Sequence, residues 1–311
     1  MIQADTELYC CGGLKGLYDA RIPRSLFRGL PKDRFKQWLK NHGSLDKAAA
    51  KRLWHLCIHG QQPYMMASFS PNGGSVGDTP IQNNTAYHTL RLVVEDNAAR
   101  MRAAGRAVIL DVSKVTTHDL SQLHVHTTFA VPKQGGLARV VTHCSYGSRT
   151  TPSYNESVDL AAHSAAYPRP TPPRLRDFAD MLCRMRDKYP DCNYLHAAVV
   201  DAKSAFQLYH LSFEKFKLMW TTIQVKRGQE WVRLLVGNMC EAFGDLGAGD
   251  TWDVPASVWT ALTNLASSLW DVLLYVDDQT IVAAPLLSDL PHRPREFYRI
   301  QTISLCPLST L

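Results

Sequence analysis

Two apolar runs that end on aspartate constrain this chain more than any other feature. Leu195 to Val200 leads into Asp201, and Leu273 to Val276 leads into Asp277 and Asp278 before Thr280 to Ala284 resumes the apolar pattern. Short runs rich in β-branched and aromatic residues, bounded by turn formers, predict strands. The second run therefore reads as strand, tight turn, strand, with two carboxylates in the turn. Asp favours turns for its local hydrogen bonds alone, so an Asp-Asp turn by itself is ordinary. An acid closing one buried strand and an acid pair in a neighbouring turn can do more. Strands hold side chains more rigidly than loops do, and converging carboxylates suit hard cations.

The rest of the pattern predicts a mixed α+β chain. A helix is expected from Tyr87 to Ala104 and a short strand from Val108 to Val112. His124 to Val131 and Ala138 to His143 flank Pro132-Lys133-Gln134-Gly135-Gly136, whose glycines supply the positive φ a tight hairpin needs. Leu175, Phe178, Ala179, Leu182 and Met185 recur at helical spacing until Tyr189-Pro190 ends the run. Phe213 to Trp220 and Trp231 to Val236 flank Lys226-Arg227-Gly228-Gln229 as a second hairpin, and Val258 to Trp270 has the spacing of a helix. Ser68 to Asn84 is rich in Gly, Pro, Ser and Asn and reads as a linker. Ahead of it, Phe35, Trp38 and Leu39 suggest one helical face and Leu53, Trp54 and Cys57 another.

The net charge is +6, and its distribution is uneven. Residues 1 to 59 carry 11 Lys and Arg against 5 Asp and Glu, and the remainder carries equal numbers of each sign. Such an arm suits phosphate contacts with a polyanion, or else is a solvated extension. No run of about 18 to 20 apolar residues is available to span a bilayer, and the N-terminus lacks the order of a secretory signal, so an intracellular location without membrane is expected. Eight cysteines at irregular spacing give no disulfide framework and no paired zinc ligands. His55 with His59 and His124 with His126 have no second pair at zinc-finger spacing and read as structural or surface histidines.

LLYVDDQTIVAA, from Leu273 to Ala284, resembles the Tyr-x-Asp-Asp hairpin of reverse transcriptases, and VVDAKSAFQLYHL, from Val199 to Leu211, resembles that family's first acidic motif. The two acids, Asp201 and Asp277, are 76 residues apart and in the family's order. FAVPKQGGLARVVTHCS, from Phe129 to Ser145, is similar to the family's fingers hairpin, and Ala242-Phe243-Gly244 to its third motif. There Gly249 stands where the family has proline, and Asp245 and Asp250 are extra acids near an expected nucleic-acid surface.

The resemblance covers roughly Thr117 to Pro285. It implies right-hand polymerase fingers and palm, with a small antiparallel palm sheet packed on helices and the thumb missing. The implied organisation is a basic N-terminal extension and linker at 1–84, a fingers-like region at 85–170, a palm-like region at 171–285 and an irregular truncated tail at 286–311. Asp201 and Asp277 would hold two Mg²⁺ ions, or Mn²⁺, with Asp278 as the supporting third acid. Lys133 and Arg139 would meet a triphosphate, Phe206 would act as a sugar gate favouring deoxynucleotides, and Tyr275 would line the nucleotide site. Ser145, Tyr154 and Asn155 would have structural roles.

The implied activity is RNA-directed DNA polymerisation by two-metal phosphoryl transfer, with deoxynucleoside triphosphates and a primed RNA or DNA template as partners. A catalytically inactive retrotransposon remnant that binds nucleic acid is the alternative. A different metal-dependent phosphotransferase or hydrolase using the same acids is a third.

Overall fold

A computed structural model describes residues 2–22, 37, 46–73, 90–132, 138–147, 152–201, 205–266, 270–276 and 278–284. The chain is α+β and divides into two compact units, one made of Met1–Arg28, Leu56–Ala165 and Phe206–Ala248, the other of Gly29–His55, Ala166–Ala205 and Gly249–Leu311. Among the described residues no helix is long and apolar enough to cross a membrane. Phe35, Trp38, Leu39, most of the expected linker and everything after residue 284 fall outside the described residues.

The first unit is built on a four-stranded sheet. Strand β1 (Ala107–Asp111) pairs antiparallel with β7 (Glu230–Asn238), β7 with β6 (Trp220–Arg227), and β6 in parallel with the two-residue β2 (Val125–His126). Side chains alternate across a strand, and β1 obeys this: Val108 and Leu110 enter one core, Ala107 and Ile109 another. On one face lies α1 (Ile2–Arg21), contributing Leu14, Leu17 and Tyr18. On the other lies α3 (Arg91–Ala103), contributing Val94 and Ala98.

The expected basic extension is therefore, over residues 2–22, a core helix. It is kinked at Gly13, whose φ is 61°, and is tied down by the buried Asp5, which accepts from Arg21, from Arg102 and from the Ile109 amide. Between α1 and α3 in the sequence comes α2 (Lys47–His59), with Leu53 and Cys57 buried on the expected face.

Two expected strands shift. The run from His124 to Val131 is two strands, β2 and then β3 (Thr128–Pro132), and β3 pairs antiparallel with β4 (Ala138–Thr142) in a separate hairpin. After α4 (Thr117–Gln122), α5 (Leu160–Ala166) and α6 (Leu175–Lys188), the expected strand at Phe213 is instead a single helical turn, α7 (Phe213–Phe216). Ser212 sets it by accepting the Lys215 amide with its hydroxyl, and β6 begins only at Trp220. Trp220 is the register partner of Gly237, and a Cβ at Gly237 would lie 2.7 Å from the indole ring.

The second unit holds a three-stranded antiparallel sheet in the order β5 (His196–Asp201), β9 (Asp278–Ala283), β8 (Trp270–Tyr275). Met181 and Met185 of α6 pack on Val282 and Ala284, with Leu182, Tyr189 and Leu273 around them. Arg184 also bonds Asp271 at 2.7 Å. Strand β9 is central and buried, as its apolar run predicts. Strand β5 differs from expectation: it is an edge strand, its Ala197 is exposed and its Val199 is 68% exposed. An apolar run reports the residues' affinity for a core, whereas position in the sheet depends on pairing partners far away in sequence.

The last helix, α8 (Ala248–Ala266), begins ten residues before the expected Val258 and carries Pro255 inside it.

Candidate functional site

The β8–β9 hairpin is the local unit that positions the acids. Asp278 opens β9 and is the register partner of Tyr275 on β8 and, across its other side, of Asp201 on β5. Two of the three acids expected to converge thus occupy directly opposed positions. Such positions on antiparallel strands carry their Cβ atoms about 4.5–5.5 Å apart on one face of the sheet. Asp277 and the side chain of Asp201 lie outside the described residues. Asp278 is half-buried, and Tyr275 is 54% exposed at the mouth of the turn.

The turn is bent in a way a β-branched residue resists. Val276 has φ 55°, in the left-handed region that costs such a residue about 1–3 kcal/mol. Its carbonyl accepts the indole N–H of Trp252 at 2.9 Å. On the other side of the acids, the buried Gln279 donates its Nε2 to Thr260 Oγ1 at 2.9 Å. Trp252 and Thr260 both belong to α8.

A second cluster forms in the first unit around Phe243. The Arg139 guanidinium of β4 lies over the Phe243 ring at 4.6 Å from its centroid, and Phe206 meets the same ring edge-on at 5.4 Å. Two residues expected to bind nucleotide are therefore joined through the aromatic of the third motif. Phe243 is fixed there because its carbonyl accepts the Thr142 amide of β4 at 3.1 Å.

Gly244 must be glycine: its φ is 115°, and a Cβ would lie 2.0 Å from the Thr142 carbonyl oxygen. Asn155 bridges this loop to Ser145, donating to Ser145 Oγ at 2.7 Å and to the Gly244 carbonyl at 2.8 Å while accepting the Leu246 amide. Beside the cluster is a small cavity of roughly 60 Å³, lined by Thr128, Thr142, Gln207, Glu241 and Phe243 among others. Lys133 lies outside the described residues.

No protein-family model and no curated protein matches the chain.

The residues just after Phe243-Gly244 hold what the sequence does not announce. Asp245, expected near a nucleic-acid surface, is buried. It accepts from the Lys215 ammonium and from the Gly247 amide at 2.7 Å, and Lys215 also donates to the Tyr154 hydroxyl at 2.5 Å. Burial acts to raise the Asp245 carboxyl, but the Lys215 charge outweighs it and holds the acid below its ordinary range. Burial likewise pushes against the Lys215 charge, and Asp245, Tyr154 and Glu241 together hold it well above the usual lysine range. Glu241, buried 4.0 Å from Lys215, is pushed well above the carboxylate range by burial and by the Asp245 charge.

His124 and His126 pack edge-to-face at 4.8 Å in the same core. Burial lowers His124 to about 4. Burial, with His124 beside it, lowers His126 to about 3. Both are neutral core residues, as expected. His126 shares a hydrogen bond with the Leu218 carbonyl, and among the described residues the His124 Nδ1 atom has no hydrogen-bond partner.

The one sequence signal for this network is negative. Glu241 and Asp245 sit in a stretch otherwise made of apolar residues and glycine, where a charge needs a partner, while Lys215 lies among Ser212, Glu214 and Lys217 and gives no signal.

Among the described residues, no three His, Cys, Asp or Glu side chains converge as a metal cluster.

Proposed function

We propose that the chain is a reverse transcriptase domain of a retrotransposon-type element, an RNA-directed DNA polymerase of fingers and palm whose acidic turn binds two divalent cations. The observation that carries this reading is the register of the second unit's sheet, which sets the Asp201 position opposite Asp278, two residues after the strained Val276. Backbone strain concentrates where surroundings over-determine a functional geometry. Opposed carboxylates repel one another, and a hard cation between them turns that repulsion into ligation.

The residues fit the group they would hold. Cβ atoms about 5 Å apart allow two carboxylates to reach one ion or to bracket two ions about 3.5–4 Å apart. Bound Mg²⁺ would activate a primer 3′-hydroxyl and neutralise the triphosphate. In the second unit the chain's own part is to fix the acids on paired strands; in the first unit, taken by itself, Arg139 at an exposed strand position is suited to grip phosphate in bidentate fashion, and the resemblance gives Phe206 the role of a planar wall against a sugar. Asn155 and Gly244 hold the Phe243 ring on which Arg139 and Phe206 rest.

Primer extension on an RNA template tests the reading. The chain is expected to add deoxynucleotides in Mg²⁺ or Mn²⁺, and Asp278→Asn to slow this by about a hundredfold or more, the scale of losing one charged contact to a transition state. Extension that is unchanged in both Asp201→Asn and Asp278→Asn would overturn the metal site. Salt-sensitive nucleic-acid binding with no incorporation at any metal concentration would favour the inactive remnant.

A further inference from the structure

We infer that Trp252 is a positioning residue for the acidic turn, holding Val276 in its left-handed conformation and so setting the direction in which β9 delivers Asp278. The inference rests on the reading of that turn as a cation site.

A valine at φ 55° is held by something, because its own preference is elsewhere. Packing of its side chain does not do it, since Val276 is 45% exposed. The constraint lies on its carbonyl, which takes the Trp252 N–H. Trp252 is suited to be the fixed end of that bond, because it is 2% exposed and sits in a long helix.

The helix reaches the hairpin at two further points. Thr260 takes the Gln279 amide just beyond the acids, and the Thr263 carbonyl takes the indole N–H of Trp270 at 2.6 Å where β8 starts. Residues 252, 260 and 263 fall within an arc of about 80° around a helix with 3.6 residues per turn. One side of α8 therefore acts as a strut along the hairpin, and Trp252 is its contact at the turn itself. Without that donor the turn is free to relax toward a right-handed φ, and Asp278 leaves its place opposite Asp201.

Direct titration of the purified chain with Mn²⁺, followed by calorimetry and without nucleic acid, tests this apart from catalysis. Trp252→Phe, which keeps a buried ring and removes the donor, should raise the half-saturating Mn²⁺ concentration by about five- to tenfold, the worth of one hydrogen bond. Adding Val276→Gly to that variant should bring the midpoint back to within about twofold of wild type, because glycine adopts positive φ without help.

Val276→Pro, at an exposed position with Trp252 untouched, forbids the left-handed φ and should weaken binding at least as much as Trp252→Phe. It keeps the test open if Trp252→Phe does not fold. An unchanged midpoint in Trp252→Phe or Val276→Pro, or no recovery in the glycine double variant, sinks the positioning role. Wild type that binds Mn²⁺ no better than Asp278→Asn instead sinks the cation site itself.

Discussion

Asp245 in the first unit and Asp278 in the second sit in similar local settings and have opposite surroundings. Each lies one or two residues after a backbone position with positive φ, Gly244 and Val276 respectively; Asp245 itself accepts from the Gly247 amide and the Lys215 ammonium, whereas before Asp278 it is the Val276 carbonyl that takes the Trp252 N–H. Asp245 is closed off: Lys215 neutralises it, Tyr154 completes the pair and burial pushes the Glu241 carboxyl upward beside them. Asp278 is only half-buried and is set opposite a second acid position. A buried acid with its own counter-charge is committed to the fold. An acid at a half-open position opposite a second acid position is, in the reading proposed above, one that a cation from outside would bridge.

The sharpest way to break this contrast is to remove the counter-charge. Lys215→Met leaves Asp245 ionised or forces it to take up a proton inside the core, and should cost the first unit about 3–5 kcal/mol, read from denaturant unfolding. A change under about 1 kcal/mol would mean that Asp245 is not committed to the fold.

A smaller effect per residue comes from pH. His124 and His126 are held below their unfolded value of about 6.5, so the unfolded chain binds more protons than the folded one between the two values. Their contribution is present above pH of about 6.5 and is lost as the pH falls toward about 4 and below. Going from pH 7 to 5 should lower unfolding stability by about 4 kcal/mol, roughly half from each histidine, and His124→Phe should about halve that slope. A slope that His124→Phe leaves intact would assign it to other groups.

The smallest expected effect sharpens the second half of the comparison. Asp278→Asn relieves a like-charge opposition and should change stability by no more than about 0.5 kcal/mol, measured by thermal unfolding without metal. A large loss of stability would place Asp278 in the same structural class as Asp245.

What could be read from the sequence follows from how local each signal is. The β8–β9 hairpin, the β3–β4 hairpin and α6 each declare themselves within a dozen residues, through alternation, turn formers or helical spacing. The register of Asp201 against Asp278 was legible only as an expectation of convergence, since pairing across 77 residues leaves no local mark. Helix α1 was hidden because Gly13 breaks its spacing and the surplus of Lys and Arg in the first 59 residues suggested a solvated arm. The start of α8 was hidden by Pro255, ordinarily a helix breaker. The Lys215 network was hidden because a lysine reads as surface until the fold brings Asp245 to it. Phe206 and Arg139 were each singled out, but their common partner, Phe243, needed the structure.

The Trp220–Gly237 pair carries a consequence for how such a sequence can drift. The two positions share one volume, which the indole fills from its side of the ladder. Neither residue is free to vary alone, because any side chain at 237 collides with the ring, whereas a smaller residue at 220 leaves a void. Among descendants of this chain, change at these positions should come as a trade, with bulk gained on one strand only as it is given up on the other.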